Sequence, residues 1–241
     1  MIKVAKSESK KSFPIKTETN VSAEVWARRL LVYISGLFLL SLGVAVSIKS
    51  GLGVSPVTSF PFALSVVLDM DVGLMSTIVF SFYVLLQIPL LRRNFQLKNL
   101  FQLVIASMFG FFITLSNTII SPFSPEGYVG QLVFLAVSLV LIALGILFYL
   151  AANVIPMPSE GLVLSVQRAT KVPFSRVKVL FDVTSVSLAG ILLIFFYGNV
   201  VGLREGTVLA ALGVGKLIGI FSKWLKPPIL RFCKSALVEK E

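Results

Sequence analysis

Six long apolar runs constrain this chain more than any other feature. With 56% hydrophobic and only 14% charged residues, the chain has more apolar surface than a soluble domain can bury. Each run has close to the roughly 20 residues that an α-helix needs to cross a bilayer. We therefore predict an all-α polytopic membrane protein with six transmembrane helices. The runs occupy residues 31–48, 72–91, 100–119, 129–151, 177–197 and 207–221.

Two shorter apolar stretches, residues 56–68 and 158–166, follow the first and the fourth run, and each opens on a proline. Proline lacks a backbone N–H and disfavours helical geometry in the residue before it. The preceding helix must therefore end, and a new helix can begin at Pro56 or at Pro158. Both stretches are short for full crossings, so we predict a re-entrant helix after each break.

The two breaks occur at equivalent positions in the two halves of the sequence. Leu42-Gly43 aligns with Leu144-Gly145, and Pro56 aligns with Pro158, at a constant distance of 102 residues. We interpret this match as an internal duplication. Because each half has three crossings, the halves would insert with opposite orientations and form a 3+3 inverted repeat. The predicted first repeat is 30–120 with its re-entrant segment at 51–70, and the second is 132–223 with its re-entrant segment at 153–171.

Charge predicts the orientation in the membrane. Of the 22 Lys and Arg residues, all but Lys49, Arg204 and Lys216 lie on the cytoplasmic side if both termini do. A full crossing by residues 56–68 would instead move the positive loop at 92–98 outside. We predict a basic cytoplasmic tail at 1–29 without a cleavage signal, an external loop at 121–131 and a cytoplasmic tail at 224–241.

The backbone at the two breaks is the predicted substrate site. Helix N-termini carry unpaired N–H groups and partial positive charge, and two of them meeting near the midplane would favour an anion or a hydrogen-bond acceptor. Glycines allow close approach of the backbone and serines add hydroxyls, although each one alone is better explained by helix packing. The predicted binding residues are Gly51, Gly53, Ser55, Pro56, Asn153, Pro158, Ser159, Glu160, Gly161 and Lys216.

Glu160 and Lys216 are the ionisable residues that the sequence places deepest. A carboxylate is favourable at a helix N-terminus and expensive in lipid, so Glu160 is a candidate for substrate or proton handling, and a local helix cap is the alternative. Lys216 lies about halfway along the last run and needs a partner or a cavity.

Three further residues are secondary candidates. Asp182 follows Lys178 by four residues on one helix face, which favours an ion pair between them. Lys49 and Arg204 lie at the outer ends of their runs and could attract anions, although solvated helix ends are the ordinary explanation.

Composition excludes several kinds of site. The chain has no His, and its single Cys233 lies near the C-terminus, so neither an internal disulfide nor a His/Cys metal site is expected. ATPase and hydrolase motifs are absent, and we predict no enzyme activity and no cofactor. The net charge of +11 is explained by the cytoplasmic loops, so no nucleic-acid partner is expected.

Four motifs stand at and after the breaks: Ser50-Gly-Leu-Gly-Val-Ser-Pro56, Pro156-Met-Pro-Ser-Glu-Gly161, Phe174 with Lys178 and Asp182, and Arg204-Glu-Gly-Thr207. With these motifs, the chain resembles the YczE/YitT-like group of small bacterial integral membrane proteins over about residues 30–225. The resemblance implies a bacterial inner-membrane protein and offers no substrate. Where that group is expected to have a small residue followed by Pro in the last span, this chain has Gly215-Lys216.

The predicted architecture favours a secondary transporter or permease for a small anionic or zwitterionic solute, bound at the midplane between residues 51–56 and 153–161. The alternative is a non-transporting membrane partner: a solute-binding subunit of an energy-coupled complex, or an accessory protein of a membrane-associated biosynthetic system. Expected partners are the lipid bilayer and the solute, and a homo-oligomer or a partner membrane protein fits equally well. A lipid-modifying enzyme is least favoured, since no acid, base and nucleophile set is visible.

Overall fold

The computed structural model describes residues 23–92 and 95–234, and these residues are helical with no strand. Six helices are long and apolar enough to cross a membrane, which confirms the predicted all-α class and the six predicted spans. The helices are α1 (Ala23–Ser50), α2 (Pro56–Leu68), α3 (Val72–Leu91), α4 (Phe101–Ile120), α5 (Gly127–Ala152), α6 (Pro158–Thr170), α7 (Phe174–Tyr197) and α8 (Glu205–Lys234), with one 3-10 turn at Leu97–Leu100.

The two short helices α2 and α6 begin at the prolines that the sequence singles out, and each has 13 residues. The residue before each proline has an extended backbone, with ψ of 141° at Ser55 and 153° at Met157. This is the geometry that proline imposes on its predecessor. Each helix ends on a residue in the left-handed conformation, Asp69 or Lys171. The predicted breaks are therefore present at both positions.

Helices α1 and α5 form the central antiparallel pair of the bundle. A Cβ atom added to Gly36 would lie 2.5 Å from the backbone nitrogen of Tyr149, and one added to Gly43 would lie 2.7 Å from the Ile142 side chain. Gly145 is equally close to the α1 backbone at Leu40. Such small residues let two membrane helices approach closely and gain dispersion energy along their length.

The remaining helices surround this pair, and their contacts differ between the two halves in one respect: α3 packs on α4, whereas α7 barely contacts α8 over the described residues. Helix α2 packs on α7 and α6 packs on α3, while α4 packs on α1 and α8 packs on α5. Helices α3 and α4 also pack tightly on each other, with Gly73 against Gly110. Over their described residues, α7 and α8 make at most marginal contact. The outer faces of these two helices are consequently the least covered part of the bundle.

One end of the bundle, which we call the basic end, gathers most of the described cations. Arg28 at the start of α1 lies over the Phe232 ring near the end of α8, at 5.6 Å. The start of α6 lies at the same end, because Tyr33 of α1 and Gln87 of α3 both reach it. The described cations of this end are Arg28, Arg29, Arg92, Lys98, Arg168, Lys171, Arg176, Lys178, Lys223, Lys226 and Arg231.

Candidate functional site

Glu160 lies in the first turn of α6, where it is half-buried. Its carboxylate accepts a hydrogen bond from the hydroxyl of Tyr149, which belongs to the last turn of α5. The carboxylate also interacts favourably with the backbone of Met157, the residue at which α6 is capped. Glu160 therefore lies where a residue of the first turn can support the start of its own helix, and at the same time it is bound to a side chain from another helix.

Tyr33 contacts the second break, the segment between α5 and α6, from the side of α1. Its hydroxyl donates a hydrogen bond of 2.9 Å to the carbonyl oxygen of Ile155, and its ring meets that of Tyr149 edge to face at 6.2 Å. Both tyrosines are almost fully buried. A buried aromatic ring with a satisfied hydroxyl fixes its neighbours well, so the backbone between α5 and α6 is held in one geometry.

Helix α7 carries a charged pair, one member of which interacts with Glu160. The ammonium of Lys178 lies 2.5 Å from a carboxylate oxygen of Asp182, so the ion pair expected from their spacing is present. Lys178 also interacts electrostatically with the Glu160 carboxylate. Lys178 thus pairs directly with Asp182 and acts on Glu160 at longer range, and the three groups carry a formal charge of minus one when all are ionised.

Two buried glutamines border this cluster. The Nε2 of Gln87 on α3 donates to the Oε1 of Gln102 on α4 at 2.8 Å, and Gln87 also approaches the carbonyl of Pro158 at 3.5 Å. Gly161 lies directly against the Gln102 amide, and a Cβ there would stand 2.8 Å from its Nε2. Position 161 therefore requires glycine, because its backbone packs closely on the Gln102 amide. Ser159 and Pro158 beside it are buried, whereas Asn153 is exposed and ends α5 in the left-handed conformation.

Four residues of this site were not predicted from the sequence: Tyr33, Tyr149, Gln87 and Gln102. Their signal was present, since each is a polar side chain inside a long apolar run. Such residues must find hydrogen-bond partners in a membrane and therefore collect where helices meet.

The first break, between α1 and α2, is held by hydrogen bonds to α1 and to the start of α8. The hydroxyl of Ser47 donates to the carbonyl of Gly53 at 2.8 Å, and the N–H of Val54 donates to the Thr207 hydroxyl at 3.2 Å. Gly206 completes the closure by donating its N–H to the carbonyl of Leu52 at 2.9 Å. Gly53 has a φ of 151° and packs directly on the start of α8.

The other predicted binding residues of the first break have local structural roles. Gly51 has a φ of 68° and is exposed, Ser55 precedes α2 as its cap residue, and Pro56 is buried. The glycines here serve turn geometry and packing.

The two breaks do not form a shared site. Tyr33 contacts the second break and Ser47 contacts the first, and both residues belong to α1. Fourteen residues of α-helix separate them, which is about 21 Å at a rise of 1.5 Å per residue. The expectation that both helix N-termini meet near the midplane is corrected accordingly. It failed because α1 extends for 28 residues, so its C-terminal break lies at the end of the bundle opposite to the basic end.

Lys216 also lies apart from Glu160. It is exposed on the outer face of α8, and no ion pair forms between Lys216 and any residue in 23–92 or 95–234. The cation beside Glu160 is Lys178. Lys49 donates to the carbonyl of Ser121 at 3.0 Å, and Arg204 pairs with the adjacent Glu205, so both act as helix-end residues.

Six apolar helices with an ionisable cluster between them define a multi-pass helical membrane protein. The chain belongs to a family of unknown function, DUF6198, whose model matches residues 27–223. It is 29% identical over 202 residues to the uncharacterized protein YyaS of Bacillus subtilis (strain 168), which covers 80% of this chain and 92% of the relative.

A second relative is an uncharacterized protein of Haemophilus influenzae (strain Rd), 25% identical over 194 residues, covering 80% of this chain and 83% of the relative. No solved structure matches the chain. The expected group of bacterial proteins without an assigned activity is thus confirmed, and the YczE/YitT-like resemblance stays a prediction.

Proposed function

We propose that the protein is a secondary transporter or permease for a small anionic or zwitterionic solute, and that the solute binds at the start of α6. The observation that carries the proposal is the Glu160 carboxylate, which is half-buried among apolar helices and interacts electrostatically with Lys178. An ionisable residue in a membrane bundle is expensive and by default serves a function. Charges of both signs at one helix N-terminus suit a zwitterion best.

The proposed architecture is a 3+3 inverted repeat with two re-entrant helices, and several observations support it. Helices α2 and α6 have equal lengths and begin 102 residues apart. The contact of α2 with α7 corresponds, under this repeat, to the contact of α6 with α3. The antiparallel α1 and α5 pair would contain the pseudo-two-fold axis, as in many transporters.

The separation of the two breaks suggests how such a carrier would work. Each break would close one end of the path, the first through Thr207 and Gly206 and the second through Tyr33 and Tyr149. Opening of one end at a time would give alternating access. We further infer a bacterial inner-membrane location with the basic end in the cytoplasm, because the positive-inside rule favours that orientation.

A second candidate function is that of a non-transporting membrane partner, either a solute-binding subunit or an accessory protein. The specific observation in its favour is the poor coverage of the last two spans. Only 17% of the most apolar window of α7 and 11% of that of α8 is buried, against 61% for α1. A partner membrane protein would fit this face.

Two measurements test the proposal. Purified protein in liposomes should take up labelled solute without a partner, and a panel of zwitterions and anions should contain a compound that raises its unfolding temperature. Glu160→Gln should abolish both effects, whereas Glu126→Gln, which alters an exposed carboxylate before α5, should leave them intact. Stable co-purification with an ATPase or a biosynthetic enzyme, without uptake by the protein alone, would favour the second candidate and contradict transport.

A further inference from the structure

A shallow, open crevice, lined by residues of one helix only, lies on the outer face of α7 near the basic end. It is lined by Ser175, Arg176, Val179, Leu180 and Val183. The last four have the i, i+3, i+4, i+7 spacing of a single helix face. The crevice therefore has a polar end in the first turn of α7 and an apolar wall that extends about 10 Å further along the helix.

The apolar wall is not covered by the rest of the chain. Val179, Leu180 and Val183 are 63%, 66% and 56% exposed. The opposite face of α7 is the one that packs inward, where Phe181 meets Tyr83 edge to face. Helix α8 does not cover this wall either, because it makes at most marginal contact with α7 over the described residues.

The polar end carries a positive charge that the described residues leave available. Arg176 is exposed and forms no ion pair within residues 23–92 and 95–234. The two acids that lie nearest in sequence, Glu160 and Asp182, are engaged with Tyr149 and Lys178. The hydroxyl-bearing Ser175 stands next to Arg176 and can add a hydrogen bond to the same ligand.

We propose that this crevice binds an anionic phospholipid, with the phosphate on Arg176 and Ser175 and one acyl chain along Val179, Leu180 and Val183. A guanidinium matches phosphate geometry, and basic pockets beside membrane helices on the cytoplasmic side recognise anionic headgroups. The apolar wall selects a lipid over free phosphate, because an inorganic ion would leave that wall unused. This site is independent of the proposed transport.

Native mass spectrometry of the full chain tests the site, with phosphatidylglycerol as the anionic lipid and phosphatidylcholine as the zwitterionic one. Arg176→Gln should reduce retention of phosphatidylglycerol about five-fold, the effect of one cation at a membrane surface. The matched control is Arg168→Gln, which removes an exposed cation in the last turn of α6, outside the crevice. It should leave retention unchanged. Val183→Trp should fill the apolar wall and reduce retention while keeping the charge.

Any one of four results would overturn the proposal. Equal losses for Arg176→Gln and Arg168→Gln would mean a general attraction of anionic lipid to the basic end. Unchanged retention in Val183→Trp, or displacement of the lipid by inorganic phosphate, would mean that no acyl chain occupies the wall. Equal retention of phosphatidylcholine would mean that the headgroup charge is not recognised. Unfolding temperatures close to that of the parent protein in all variants would show that folding is intact.

Discussion

The hydroxyl of Tyr149 donates a hydrogen bond to the carboxylate of Glu160, and this bond ties the last turn of α5 to the first turn of α6. Proline makes a continuous helix impossible between these two residues. The bond and the neighbouring contact of Tyr33 with Ile155 therefore help to fix the position of α6, together with its packing on α3.

Tyr149→Phe should destabilise the protein by about 1 to 3 kcal/mol, because the carboxylate loses a buried donor while the ring is kept. The measurement is the unfolding midpoint of the detergent-purified protein. Tyr128→Phe is the matched control, since the Tyr128 hydroxyl is exposed and makes only a long contact of 3.5 Å with Glu205. A Tyr149→Phe variant as stable as the control would mean that the bond does not hold the break.

Glu160 should be energetically coupled to Lys178 and uncoupled from Lys216. In a double-mutant cycle, Glu160→Gln and Lys178→Met should be non-additive in unfolding free energy, by about 0.5 to 3 kcal/mol. Glu160→Gln and Lys216→Met should be additive within about 0.5 kcal/mol, because Lys216 lies on the outer face of α8. The opposite pattern would require Lys216 to reach Glu160 in the folded protein.

Gly36→Ala should cost about 1 to 3 kcal/mol, because the added methyl group would lie 2.5 Å from the backbone of α5 and force the central pair apart. Gly190→Ala provides the control in the middle of α7. Nothing lies within 4 Å of its added Cβ, and alanine favours a helix more than glycine does. Equal effects of the two changes on the unfolding midpoint would rule out the close α1 and α5 contact.

Thr207→Val should destabilise the first break by about 1 to 3 kcal/mol, since the buried N–H of Val54 loses its acceptor while the side-chain shape is kept. Hydrogen exchange of the Val54 amide would report the change directly and should become faster. Thr184→Val, at an exposed position on α7, should alter neither the exchange rate nor the stability.

Cysteine labelling tests the orientation. In a Cys233→Ala background, a cysteine at position 126 should react with an impermeant reagent added from outside, and a cysteine at position 96 should react only after the membrane is opened. Reversed reactivity would contradict a cytoplasmic basic end.

The sequence was sufficient to predict the helices, because apolar run length and proline position act locally and leave little freedom for a membrane chain. Pro56 and Pro158 mark the starts of α2 and α6. The location of the breaks within the bundle was not predictable in this way, since it depends on how far α1 extends past Tyr33. The identity of the cation beside Glu160 depends on the packing of α7, which residue spacing along a single helix cannot reveal.

The close contact of α1 with α5 also governs the order of assembly. Gly36 and Gly43 need a partner that is synthesised about a hundred residues later. At the usual rates of translation, α1 must stay in the membrane for roughly 5 to 20 s before α5 emerges. The first half can therefore insert early but cannot complete its core, and the protein becomes resistant to proteases only once the second half has been made.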